Sequence, residues 1–158
     1  MAKINKFQEG ENGKIRKPKR VHPIVLVGGC FDILHIGHVK FLHAAHKLGN
    51  VWVLLESDVN VRKLKGANRP IFLQRERAET LRSLSSVTKV ILLPEMKTDT
   101  DYRNIIAKIK PDIIAVTKND INLFKKEQHA TMIGARLYVI SYHPTHSSSS
   151  LIDLLGID

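Results

Sequence analysis

Two uninterrupted apolar runs, Ile24-Val25-Leu26-Val27 and Val51-Trp52-Val53-Leu54-Leu55, constrain this chain most. A strand with one face in water alternates apolar and polar residues, whereas a strand covered on both faces is apolar throughout. Stretches of helical character follow, and the alternation continues along the chain. Strands are predicted near 24–29, 51–56, 87–93, 112–116 and 136–142, and helices near 36–48, 71–85, 100–109, 121–134 and 148–155. Leu48-Gly49 and Pro111 supply helix stops, and Pro70 precedes a helix start. This order implies an α/β fold: a doubly wound, five-stranded parallel sheet between two helical layers. Ligands of such sheets bind at the carboxyl ends of the strands.

The end of the first strand carries the most distinctive chemistry, Gly28-Gly29-Cys30-Phe31-Asp32-Ile33-Leu34-His35-Ile36-Gly37-His38. Residues three apart on a helix share a face, so His35 and His38 can serve one small volume. A helix starting near Leu34 to Ile36 aims unpaired N–H groups and its dipole at the same volume, which attracts anions. Gly37, with Gly28 and Gly29 at the strand end, lets a ligand approach the backbone. Phosphoryl and nucleotidyl transfer need positioning and charge stabilisation more than a nucleophile, and imidazoles able to be cationic near neutral pH can supply both. A zinc site is the weaker reading. His22, His43, His46 and His129 are available, but one cysteine and no His-Glu-x-x-His run leave no convincing ligand set.

Cys30-Phe31-Asp32-Ile33-Leu34-His35-Ile36-Gly37-His38 resembles the His-x-Gly-His signature of the cytidylyltransferase-like nucleotidyltransferases. The chain looks most like the heptose-phosphate adenylyltransferases, archaeal FAD synthetases and glycerol-3-phosphate cytidylyltransferases, over roughly residues 24 to 155. The resemblance implies a Rossmann-like, HUP-type fold and transfer of AMP or CMP from a nucleoside triphosphate to a small phosphorylated acceptor. Magnesium would ride on the triphosphate, and homodimers are common among such proteins. By the same resemblance His35, His38 and Lys65 stabilise charge, while Gly29, Cys30, Phe31 and Gly37 lie against the nucleotide. Val61-Arg62-Lys63-Leu64-Lys65-Gly66 matches a lysine-bearing loop that can close over the triphosphate, with Lys65 the best positional match and Lys63 the second. The Lys-Leu-Lys-Gly and Arg-Pro-Ile segments lean towards the adenylyl branch. Arg77, ten residues before Val87, matches an arginine assigned to phosphate contact.

Two segments depart from the pattern. Thr117-Lys118-Asn119-Asp120 stands where the relatives have a glycine turn with an acidic residue, so Asn119 and Asp120 are the nucleotide-binding candidates there. His143 stands where they have an arginine, and Ser148 and Ser149 supply the phosphate-facing helix start.

The formal charge is +10, of which residues 1–20 supply +5. Those residues are read as a basic, disordered tail, and 21–158 as one domain whose mildly basic character suits a triphosphate. No apolar run is long enough to span a membrane, no signal-peptide core opens the chain, and the single cysteine fits a reducing cytoplasm. Cys30 is read as a backbone position rather than a nucleophile. Two rival readings are a nucleotide sensor without catalysis, motivated by the two departures, and a nucleic-acid-binding module led by the tail, which is the less favoured.

Overall fold

A computed structural model describes residues 21–141 together with Ser150, Ile152 and Gly156. The basic tail, His143, Ser148 and Ser149 lie outside the described residues, as does most of the helix expected over 148–155.

Five strands form one sheet: β1 (Ile24–Gly29), β2 (Asn50–Leu55), β3 (Lys89–Leu92), β4 (Ile113–Thr117) and β5 (Arg136–Ile140). Their order is β3-β2-β1-β4-β5, and every neighbouring pair is parallel. The doubly wound parallel sheet expected from the apolar runs is therefore present. The chain winds from β1 out to β3, then crosses back to place β4 on the other side of β1. That reversal opens a crevice beyond the carboxyl ends of β1 and β4.

Side chains alternate across each strand, so each strand feeds two cores. Val25, Val27, Val51, Val53 and Leu55 meet Phe41, Leu42 and Ala45 of α1 (Ile36–His46) and Ala78 and Leu81 of α3 (Gln74–Arg82). On the other face Leu26, Leu54, Ile114 and Val116 meet Ile106 of α4 (Asp99–Ile109) and Ala130 of α5 (Leu123–Ile133). Each such fully buried aliphatic side chain contributes about 1.5–3 kcal/mol of transfer free energy. At the turn between α1 and β2 only glycine fits: Gly49 has φ 154°, and a Cβ there would come within 2.2 Å of the Pro23 carbonyl oxygen.

One helix and one helix start differ from expectation. Residues 61–65, read as part of a loop, lie in a helix, α2 (Asp58–Lys65). Ser57 caps it, its hydroxyl oxygen accepting from the Asn60 N–H at 3.2 Å, and Gly66 ends it. Only Asn60 and Val61 of this helix are buried, too few to print an apolar period on a basic stretch. The helix expected from residue 71 begins instead at Gln74. The N–H groups of Ile71 and Phe72 are taken by the Asp32 carboxylate at 2.9 and 3.0 Å, and that of Leu73 by Glu76 at 2.7 Å. A distant side chain thus holds the preceding segment out of the helix.

Candidate active site

The crevice between β1 and β4 is a cleft of about 230 Å³. Its walls are Gly28 to Phe31 from the end of β1, His35, Gly37, His38 and Phe41 from the start of α1, and Ala115 to Thr117 from the end of β4. Asn119, Asp120 and Lys126 complete it. Eight of the sequence candidates therefore meet at one place: Gly29, Cys30, Phe31, His35, Gly37, His38, Asn119 and Asp120.

Local geometry explains the histidine pair. His35 is the N-cap of α1, with extended backbone, and its Nδ1 accepts from the Gly37 N–H at 3.1 Å. Three residues on, the Nδ1 of His38 accepts from the His35 N–H at 3.4 Å. The two imidazoles thus do the work of a capping box. With Nδ1 accepting, the ring proton sits on Nε2, which is left as the donor of each ring. The rings lie 3.9 Å apart between centroids and 33° from parallel, and Phe31 packs against His38 at 5.1 Å.

This packing changes the charge expected from the sequence. Burial, the neighbouring His35 and the Lys65 ammonium push the His38 pKa down to about 3. Burial and Lys65 also lower that of His35. Without a bound anion His38 is a neutral donor at pH 7, not a cation. A polyphosphate would raise both values, because an opposite charge favours the protonated form.

The backbone turn is fixed from beneath. Phe31 adopts φ 46°, uncommon for a residue with a side chain. Its ring covers Gly29 so closely that a Cβ there would lie 2.9 Å from it, whereas a Cβ on Gly28 would meet nothing nearer than 3.9 Å. Of these two glycines, therefore, Gly29 is the one that close packing requires. Asp32 is buried and accepts from Arg69 Nε at 2.6 Å as well as from Ile71 and Phe72. Burial alone would raise its pKa, but the Phe72 and Ile71 N–H groups and Arg69 together hold it below the usual carboxylate value. Burial pushes the Cys30 thiol up, against what a nucleophile needs.

The remaining candidates stand elsewhere. Lys63 and Lys65 lie in the last turn of α2, not on a loop. Lys65 is near enough to lower both histidine pKa values but is not part of the cleft wall. The Lys63 ammonium is paired with Glu95 at 2.6 Å on the surface. Arg77, expected on phosphate, is 1% exposed and turned inward. It donates to the carbonyls of Phe72, Cys30 and Glu56 and to Asp58 at 2.7 Å. Those partners engage all three guanidinium nitrogens, so the arrangement ties loops together instead of offering a phosphate contact.

Lys126 escaped the sequence reading. Its ammonium is held by Asp120 at 2.6 Å, and among the described residues it is the one lysine in the cleft wall. The two are six residues apart and bridge a loop and a helix, so no helical spacing announces the pair. Asp32 stood inside the quoted motif, but its partners lie 37 to 40 residues away.

The family described as cytidylyltransferase-like matches residues 26–152. The chain is 45% identical over 112 residues to the bifunctional protein HldE of Nitratiruptor sp., covering 70% of this chain and 23% of that protein. It is 35% identical over 155 residues to HldE of Citrifermentans bemidjiense, covering 96% of this chain and 31% of that protein. This chain thus spans less than a third of the length of these relatives. Among solved structures, the lipopolysaccharide core biosynthesis protein of Thermoplasma volcanium shares the fold, with a TM-score of 0.63 at 24% identity over 79% of this chain and 99% of that one. Pantoate-beta-alanine ligase of Francisella tularensis shares it with a TM-score of 0.58 at 14% identity, covering 81% of this chain and 62% of that one.

Proposed function

Because the chain belongs to the cytidylyltransferase-like family, we propose that it is a nucleotidyltransferase acting on a sugar or polyol phosphate. A phosphate oxygen of the acceptor bonds to the α-phosphorus of a nucleoside triphosphate, the bond from that phosphorus to the bridging oxygen breaks, and pyrophosphate leaves. The observation that carries the reading is the histidine pair in the cleft wall, each ring with Nδ1 occupied and Nε2–H left to donate. Such preset donors stabilise charge that gathers on phosphate oxygens in the transition state. Lys65 adds positive potential near them, and Lys126 lies in the wall beside Asn119 and Asp120. Gly29, Cys30, Phe31 and Gly37 form the floor, and Ser148 and Ser149 remain the proposed phosphate-facing helix start.

No group of three histidine, cysteine or acidic side chains suited to a metal occurs among the described residues. Magnesium in this reading arrives on the triphosphate as part of the substrate. None of the described helices is long and apolar enough to cross a membrane. A cytoplasmic location, a homodimer and a single domain over 21–158 belong to the same reading.

The test is a thermal-shift series with ATP, CTP and GTP, followed by pyrophosphate release over a panel of sugar and polyol phosphates. One triphosphate should raise Tm, and one acceptor class should release pyrophosphate. A chain that no triphosphate stabilises, or that releases no pyrophosphate with any acceptor, overturns the proposal.

A further inference from the structure

The cleft has two unlike walls. The wall from β1 and α1 carries the histidine pair, with Nε2–H groups left to donate, and the helix start between them. The facing wall, from β4 and α5, carries Thr117, Asn119, Asp120 and Lys126. Lys126 is preset there. Its ammonium meets the Asp120 carboxylate at 2.6 Å, with the two side chains 24% and 16% exposed. Asp120 is in turn fixed by its own loop. Its Oδ1 accepts from the Asn122 N–H at 2.8 Å, and its N–H donates to the Thr117 carbonyl at 3.2 Å. The Lys126 N–H donates to the Asn122 carbonyl at 3.0 Å, so loop, helix start and ion pair form one unit.

Pairing changes what this lysine can hold. An unpaired ammonium attracts phosphate as a point charge. Here the carboxylate beside it cancels that charge and itself repels phosphate. What the pair keeps is hydrogen-bonding capacity. An ammonium carries several N–H donors, and Asp120 accepts from one. Those left suit uncharged acceptors: ring nitrogens, carbonyl oxygens and hydroxyls. A nucleoside presents such acceptors, and a polyphosphate does not. A nucleoside triphosphate is itself unlike at its two ends, one strongly anionic and one neutral. The imidazole donors and the start of α1 draw the anionic end to their wall. The neutral end is then left to the wall where charge is already paired.

We propose that Lys126, anchored by Asp120, binds the nucleoside portion of the triphosphate as a hydrogen-bond donor, while the polyphosphate stays with the histidine wall. This rests on the nucleotidyltransferase reading. It adds a nucleoside-binding residue that lies in none of the sequence motifs, with Asp120 as its positioning residue.

Calorimetric binding of ATP, CTP and inorganic tripolyphosphate to the full chain, with magnesium, tests it without requiring turnover. The wild type should bind the better of the two nucleotides at least about tenfold more tightly than tripolyphosphate, the scale of one hydrogen bond from a charged donor. Lys126→Met should lose most of that preference and bind tripolyphosphate as the wild type does. Asp120→Asn leaves the ammonium in place without its counter-charge. It should bind tripolyphosphate more tightly than wild type, so the preference falls about threefold or more, and it carries the test if Lys126→Met does not fold. A lysine that only braces the loop would give no such gain. A wild type without the preference, a Lys126→Met variant that keeps it or that weakens both ligands alike, or an Asp120→Asn variant with the wild-type ratio overturns the proposal alone. A wild type that binds neither nucleotide nor tripolyphosphate overturns the nucleotidyltransferase reading and the proposal with it, so the two failures are distinguishable.

Discussion

The two sides of strand β1 share one parallel ladder but are built for different ends. Towards β4, the strand end opens on a cleft walled by glycine, imidazole and one lysine. Towards β2, the same strand end is laced shut. Arg77 ties Cys30 to Glu56 and Asp58, and Asp32 ties the turn to Arg69, Ile71 and Phe72. The open side leaves donors unspent, as a site must. The closed side spends its donors on carbonyls and carboxylates of the protein, which is how a buried arginine is tolerated. Rigidity on one side holds the donors in place on the other, at the moment when charge develops.

The largest effect is expected at Arg77. Arg77→Leu strands three carbonyls and Asp58, and should lower stability by about 3–5 kcal/mol, the usual cost of breaking a buried charged network. Urea denaturation measures it, and a loss below 1 kcal/mol would mean that the β2 side is not the rigid one. Substitution on the open side should behave in the opposite way. His35→Ala and His38→Ala should each lower kcat at least about a hundredfold, or about 2.7 kcal/mol of barrier, as for loss of one oxyanion-type donor. Steady-state pyrophosphate release gives the number, and near-normal turnover in both variants would remove the histidines from the mechanism.

A smaller effect sharpens the contrast through pH. The folded His38 pKa, about 3, lies below the unfolded value near 6.5. As pH falls the unfolded chain takes up this proton first, so unfolding gains and stability drops. The contribution is whole above about pH 6.5 and is lost as pH falls towards 3. By linkage it amounts to about 2 kcal/mol between pH 8 and pH 5. His38→Asn should lack that part of the slope in urea titrations at the two pH values. Identical slopes in wild type and variant would show that His38 is not held neutral. The smallest effect belongs to Lys63→Ala. The Lys63–Glu95 pair is exposed and solvent-screened, so the urea midpoint should not move. A clear shift would give the surface of α2 a structural role.

The fold was legible because its signal is local and repeated. Ile24–Val27 and Val51–Leu55 are apolar on both faces, a pattern that only a covered parallel strand needs. The candidate site was legible where spacing along the chain equals proximity, as in Gly29 to Phe31 and His35 to His38 on one strand–turn–helix. Helix α2 was not legible, since a mostly solvated basic helix buries too little to show a period. Arg77 was legible as an arginine but not in its role, because its partners come from three other segments.

Sequence alone determined the parallel α/β architecture, the paired imidazoles at the start of α1 and the family, because each is written in neighbouring residues. Tertiary structure decided which charges face the cleft. It half-buried His38 and holds it neutral, turned Arg77 inward, drew Lys126 beside Asp120 and set Glu56 next to Gly29. The physical reason is that desolvation and ion pairing depend on what the fold brings within a few ångströms, and that distance is not a function of separation along the chain.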